Sequence, residues 1–194
     1  FYVYINGEPA GASQGAHLPS EFRITELLRS GKNTITVLVL KWAWSTYLED
    51  QDFYRLSGIF RDVYLLARNK NHIRDFEIRT SLDAVFVRLE ATAAAGAACA
   101  ELYDAEHRLV ARKDAMIRDS AAEFHFTMEN PRLWTAETPY LYTLLIHAYN
   151  EVIPACVGMR TVSVGPGGEF LVNGSPVKLK GCLLYTSPSP RDLS

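Results

Sequence analysis

Cysteine is scarce: Cys99, Cys156 and Cys182 are the only three in 194 residues, too few and too odd in number for a disulfide framework. No CxxC pair or Cys/His cluster accompanies them, which removes a structural zinc site. Cysteine usage alone therefore favours a reducing compartment, the cytoplasm. The five histidines, His17, His72, His107, His125 and His147, are scattered without HxxxH-type spacing, so each is read as a surface or sandwich residue rather than a ligand or base. No GxSxG elbow surrounds Ser13, Ser20 or Ser57, and no phosphate-gripping glycine loop occurs, so nucleophilic serine and nucleotide chemistry drop out. No apolar run reaches the ~18 residues that a bilayer crossing takes. The opening FYVYING has neither a basic n-region nor a cleavage site. It reads as mid-strand, so the native N-terminus is expected upstream of it. A dominant charge is missing too: 20 Lys and Arg against 22 Asp and Glu give a formal −2, with no long block of one sign. Nucleic acid and anionic membrane are accordingly poor partners.

What the chain does contain is apolar residues, 48% of the total, enough for real cores. Short β-branched and aromatic segments recur between Gly, Pro and Asn: FYVYI at 1–5, TITVLVL at 34–40, DVYLLA at 62–67 and HIRDFEIRTSL from His72. That spacing predicts sandwiches or barrels. TITVLVL is apolar on both faces and is expected in the middle of the first core. Asn6-Gly7 predicts a type I′ hairpin. ITELLRSGKN predicts one or two helical turns closed by Gly31. The polar run RNKNHIRD at 68–75 marks a domain boundary.

Beyond it, VFVRLEATA, CAELYDA, RLVARKDAMI, AEFHFTM, YLYTLLIHAY and ACVGMRTVSV bring the strands to six or seven over about 90 residues, the pattern of an immunoglobulin-like sandwich. AEFHFTM alternates so that Phe124, Phe126 and Met128 face one side and His125 and Thr127 the other. TAAAGAACA is alanine-rich, yet Gly96 and its flanking strands favour a linking turn or strand edge over a helix. After GPGG at 165–168, FLVN and PVKLK around Asn173-Gly174 predict a second hairpin that opens a further unit. The final CLLYTSPSPRDLS breaks every preceding pattern and is expected to be non-native.

Chemistry concentrates in YLEDQDFYRLSGIFRDVYLL, which sets Glu49, Asp50, Asp52 and Asp62 beside Arg55, Arg61 and five aromatic residues. Carboxylates near aromatic rings suit a pyranose, because charged oxygens accept hydrogen bonds from sugar hydroxyls while ring faces cover C–H patches. The same residues, with Arg68, could equally form an ion-pair network tying a long loop to its sandwich, each exposed pair worth roughly 0–1 kcal/mol. Trp42 and Trp44 would share a strand face, with core packing the expected role. Core packing is also expected for Trp134.

Four segments taken together, LPSEFRITELLRSGKNTITVLVLKW, YLEDQDFYRLSGIFRDVYL, NPRLWTAETPYLYTL and FLVNGSPVKLKG, resemble in order and spacing the β-galactosidases of glycoside hydrolase family 2, from Phe1 to about Gly181. The resemblance implies a mainly β fold: a partial sugar-binding jelly-roll sandwich over 1–69, an immunoglobulin-like β-sandwich over 70–164, and at 165–181 the opening hairpin of a (β/α)8 barrel absent from the chain, with 182–194 left as the non-native tail. It implies an intact enzyme that hydrolyses terminal β-galactosides by a retaining mechanism through two barrel glutamates. Neither would lie in this chain, which is then an inactive piece of it. In such enzymes the second Asp of the EDQD motif touches the galactosyl group and a bound sodium ion, and Asp52 stands there. A hard cation suits carboxylate oxygen. Magnesium, on ligands outside this chain, and a homo-oligomeric intact enzyme are further implications. Two departures bear on the loop's shape: Tyr54 replaces a Trp, and AWST at 43–46 replaces SDGS. A free-standing carbohydrate-binding module and a fragment of another family 2 glycosidase such as a β-glucuronidase stay as alternatives. The hairpin at 169–180 speaks against the free module.

Overall fold

The computed structural model describes residues 1–15, 18–44 and 57–179. They form two compact units, Phe1–Leu66 and Ala67–Ser194. The architecture is mainly β, with a single 3₁₀ turn at Thr25–Leu27 among the described residues.

In the first unit, β1 (Tyr2–Ile5) is flanked by β2 (Glu8–Ala12) and β3 (Ile35–Leu38), both antiparallel to it. Asn6 at φ 55° and Gly7 at φ 88° form the β1–β2 turn, a backbone that Asn and Gly adopt most readily. Asn6 does more than turn the chain. Its Nδ2 donates to the Leu27 carbonyl at 2.9 Å and to Asn33 Oδ1 at 2.8 Å, and its Oδ1 accepts from the Thr34 amide at 3.0 Å. Asn33 in turn caps Arg29 in both directions, accepting from its amide and donating to its carbonyl, each at 2.8 Å. Val3 and Ile5 are the buried residues of this sheet. Gly11 leaves room for Phe22, whose Cδ1 would lie 2.5 Å from an added Cβ.

Two expectations are corrected here, and a third is met only in part. β3 lies at a margin of its sheet with Ile35 and Leu38 exposed, because β1 takes the middle position. ITELLRSGKN winds only through Thr25–Leu27: Ile24 offers no capping oxygen and Leu28 is already extended at ψ 145°. Gly31 does take a positive φ of 84°, but beyond the end of that turn. DVYLLA forms no strand, and Val63 to Leu66 are exposed, since none of the described strands pairs with them.

The second unit is a sandwich. Its seven strands follow the continuous order β10-β9-β6-β7-β8-β5-β4: β4 (Ile73–Thr80), β5 (Ala84–Ala91) and β8 (Ala121–Thr127) make one layer, and β10 (Glu151–Val157), β9 (Tyr142–Ala148), β6 (Ala95–Tyr103) and β7 (Leu109–Arg118) the other. The layers join at the β7–β8 turn, where Arg118 registers with Ala121 and Asp119 and Ser120 both have positive φ. Seven antiparallel strands in this order give the immunoglobulin-like topology. The core interleaves Val85, Val87, Leu89, Phe124 and Phe126 with Ala100, Leu102, Leu144 and Ile146. Tyr142, at the start of β9, accepts the Arg132 amide on its hydroxyl at 2.9 Å, a corner typical of such sandwiches. Phe124, Phe126 and Met128 are buried while His125 and Thr127 are exposed, as their alternation requires.

The alanine-rich stretch bends at 92–94 and then enters β6, whose pairing with β7 from Ala95 and with β9 from Ala98 overrides helix propensity. Gly96 is needed there, since an added Cβ would lie 2.8 Å from the Tyr149 hydroxyl. ACVGMRTVSV divides: its first residues finish β10, whereas β11 (Val162–Val164) leaves the sandwich to pair with β12 (Phe170–Val172). β13 (Ser175–Pro176) completes this small sheet around Asn173 (φ 52°) and Gly174 (φ 76°), which is the expected hairpin.

Candidate functional site

Asp52 lies outside the described residues, together with Glu49, Asp50, Tyr54 and Arg55. The described segments on either side show what surrounds that motif in sequence. On the N-terminal side, Trp42 and Trp44 are 60% and 75% exposed, which overturns the expectation of a core role. β3 stops at Leu38, so the two indoles do not stand on a strand face. Lys41 Nζ lies 5.8 Å from the Trp42 ring centre. On the C-terminal side, Gly58 turns the chain at φ 134°, and the Arg61 guanidinium lies 5.4 Å from the Phe60 ring, itself 58% exposed. Aromatic residues and cations thus flank the acidic motif in sequence on both sides.

Arg68 pairs with Glu151 within the second unit, through Nε to Oε1 at 2.9 Å and Nη2 to Oε2 at 2.7 Å. The Arg68 bonds, helped by the Ile73 amide at 3.1 Å, hold the Glu151 carboxyl below its ordinary range against the opposing effect of burial.

A second polar group stands on the outer face of the β10–β9–β6–β7 layer, and alternation along β6 is the only sequence signal that could have found it. Glu101 accepts from the Tyr103 hydroxyl at 2.9 Å and from Arg112 Nη1 at 3.1 Å, and its Oε2 lies 3.2 Å from His147 Nε2. The Tyr103 bond is the main cause of its lowered pKa. Beside it a shallow cleft of about 590 Å³ is lined by Cys99, Asp114, Met116, His147, Tyr149 and Val152, among others. Burial, then the Asp114 contact, raises the Cys99 thiol, which keeps it protonated. A carboxylate saturated by three partners and a protonated thiol form a structural brace rather than an acid, base or nucleophile.

Of the other histidines, His72 Nδ1 lies 2.8 Å from the Asn69 carbonyl oxygen, His125 stacks on Phe86 at 4.3 Å, His107 is exposed at a positive φ of 60°, and His17 lies outside the described residues. Trp134 is half-buried, with Arg160 4.3 Å above its ring and its carbonyl accepting from Asn173 Nδ2 at 3.0 Å, a packing role. Among the described residues, no group of three or more His, Cys, Asp or Glu is placed to hold a metal ion. No described helix is long and apolar enough to cross a membrane.

Residues 1–69 match the family model described as glycosyl hydrolases family 2, sugar binding domain, and residues 71–160 match that described as glycosyl hydrolases family 2. The chain is 40% identical over 193 residues to a beta-galactosidase of Staphylococcus xylosus, covering 96% of this chain and 19% of the relative. It is 37% identical over 186 residues to a beta-galactosidase of Actinobacillus pleuropneumoniae, covering 93% and 18%. The chain thus spans about a fifth of the length of these relatives. Among solved structures, a beta-glycosidase of Bacteroides vulgatus superposes with a TM-score of 0.72 at 24% identity, over 93% of this chain and 24% of that one. A beta-glucuronidase of Faecalibacterium prausnitzii gives 0.71 at 21%, over 93% and 35%. At those identities the likeness concerns the fold.

Proposed function

Because this chain belongs to glycosyl hydrolase family 2, we propose that it is the non-catalytic, sugar-recognising part of a β-galactosidase whose reacting groups lie elsewhere in a longer protein. The carrying observation is 40% identity to a beta-galactosidase along nearly the whole chain, through both β units and the hairpin beyond them. In the intact enzyme, two glutamates on a (β/α)8 barrel, about 5 Å apart, act as acid/base and nucleophile in a retaining double displacement on terminal β-galactosides. This chain's part is recognition. Asp52 accepts hydrogen bonds from galactosyl hydroxyls and supplies one oxygen ligand to a sodium ion, a role that its place in the EDQD motif supports. The bound sodium supplies a fixed positive charge beside the sugar. Magnesium, where the intact enzyme uses it, takes ligands outside this chain. The intact enzyme is a homo-oligomer of the cytoplasm, with neither nucleic acid nor membrane as partner.

A β-glucuronidase reading draws on the superposed glucuronidase structure. The named sequence relatives favour galactosides over it. The test is direct: purified alone, this polypeptide releases no chromophore from a nitrophenyl β-galactoside, while joined to the barrel of a family 2 β-galactosidase it supports turnover of the galactoside and not of the glucuronide. Hydrolysis by the pure chain, or a glucuronide preference of the joined protein, would overturn the proposal.

A further inference from the structure

β7 forms one margin of the four-stranded layer. It is registered with β6 along its length, from Leu109 opposite Tyr103 to Arg118 opposite Ala95. On its other side, among the described residues, only Arg118 is registered, with Ala121 of β8. The backbone amides and carbonyls along such an open margin are a template for an added strand.

Two features of β7 say what that strand would be and why it is kept away. The run Ala111-Arg112-Lys113-Asp114-Ala115 is self-complementary about its centre. An antiparallel copy centred on Lys113 sets Ala111 against Ala115 and Arg112 against Asp114, leaving only Lys113 facing its own equivalent. Opposite charges directly across a ladder attract, and like charges there repel. The second feature is where Lys113 stands. It is opposite Ala100, in the row of Ala111, Ala115 and the buried Ile117 that faces the sandwich interior, yet it is exposed. A charge on the inward row of a marginal strand is a device that keeps margins from pairing. The shift in register between Leu102 and Tyr103, beside Val110, bends the strand and confines the matching run to its middle.

We propose that β7 is a latent pairing edge for a second copy of this chain, matched through Arg112 and Asp114 and held apart by Lys113. Lys113→Val in the full chain removes the single repulsive pair and adds a β-branched side chain that suits a strand. Size-exclusion chromatography with light scattering, over a wide concentration series, then shows a doubling of mass relative to the parent chain. Adding Asp114→Arg sets Arg against Arg and returns the mass to the parent value, and the further change Arg112→Asp restores the doubling. Lys113→Arg keeps the parent mass throughout. Lys113→Thr, neutral and less apolar, reproduces the Val result if charge is the barrier. The proposal fails if both neutral variants, folded by circular dichroism, retain the parent mass. It also fails if their association ignores the Arg112 and Asp114 exchanges, which would place the contact on another surface or partner.

Discussion

Arg68 and Glu151, 83 residues apart, grip each other through two hydrogen bonds, 2.9 and 2.7 Å long, with most of both side chains withdrawn from solvent. Glu151 also accepts the amide of Ile73, so one carboxylate fastens the segment entering β4 to the start of β10. These are marginal strands of opposite layers, and the pair therefore closes the sandwich at a side where no ladder runs among the described residues.

Arg68→Ala should lower stability by about 1–2 kcal/mol, more than a solvent-exposed pair contributes. The effect depends on pH with a definite sign. Because the Glu151 carboxyl is held below its ordinary value of 4.5, its contribution is present above that pH and is lost as pH falls through the folded-state value. Urea unfolding at neutral pH should separate parent and Glu151→Gln, and the gap should shrink steadily on acidification below about 4.5. A gap of constant size would mean that Glu151 acts through packing rather than charge.

In the first unit, the Asn6–Asn33 clasp should matter more than the short 3₁₀ turn beside it. Asn33→Ala removes hydrogen bonds to Asn6, to the Arg29 amide and carbonyl, and to the Gly31 carbonyl. A loss of about 1–3 kcal/mol confined to this unit is expected. Hydrogen exchange reads it as faster exchange at Arg29 and Thr34 with β4–β10 unchanged. Uniform acceleration over the whole chain would contradict so local a role.

The hairpin beyond the sandwich is held by one side chain that both accepts and donates. Asn173 takes the Thr161 amide at 2.9 Å and gives to the Trp134 carbonyl at 3.0 Å. Asn173→Gly keeps the positive φ available and deletes both bonds, so exchange at residues 162–176 should rise while the sandwich melts at an unchanged temperature. Unaltered exchange there would show that backbone pairing alone fixes the hairpin.

Much of this was legible in the sequence, for reasons specific to each element. Asn6-Gly7 and Asn173-Gly174 announce their turns because few dipeptides accept two positive φ angles. Asp119-Ser120 and Tyr149-Asn150 adopt equivalent angles with no glycine to signal it. AEFHFTM showed its buried face because alternation survives wherever one side meets a core. Gly96 and the neighbouring strand pattern told against a helix in the alanine-rich stretch, which bends and enters β6. Where tertiary partners decide, local reading fails: DVYLLA is no strand because no described strand flanks it. Trp42 and Trp44 looked like core because they would share a strand face, and are exposed because β3 ends before them. Glu101 and His147, 46 residues apart, meet only through the β6–β9 register, which no spacing rule discloses. Asp52 is the opposite case, singled out by a motif rather than by any contact.

The most direct measurement concerns Asp52 in the full-length enzyme. If its carboxylate recognises the galactosyl group, Asp52→Asn lowers kcat/KM for a β-galactoside by roughly 10- to 100-fold, the scale of a lost charge-assisted hydrogen bond, and leaves the unfolding midpoint nearly unchanged. Parent-like kinetics with a lowered or lost thermal transition would contradict this account and make the acidic motif a purely structural tie.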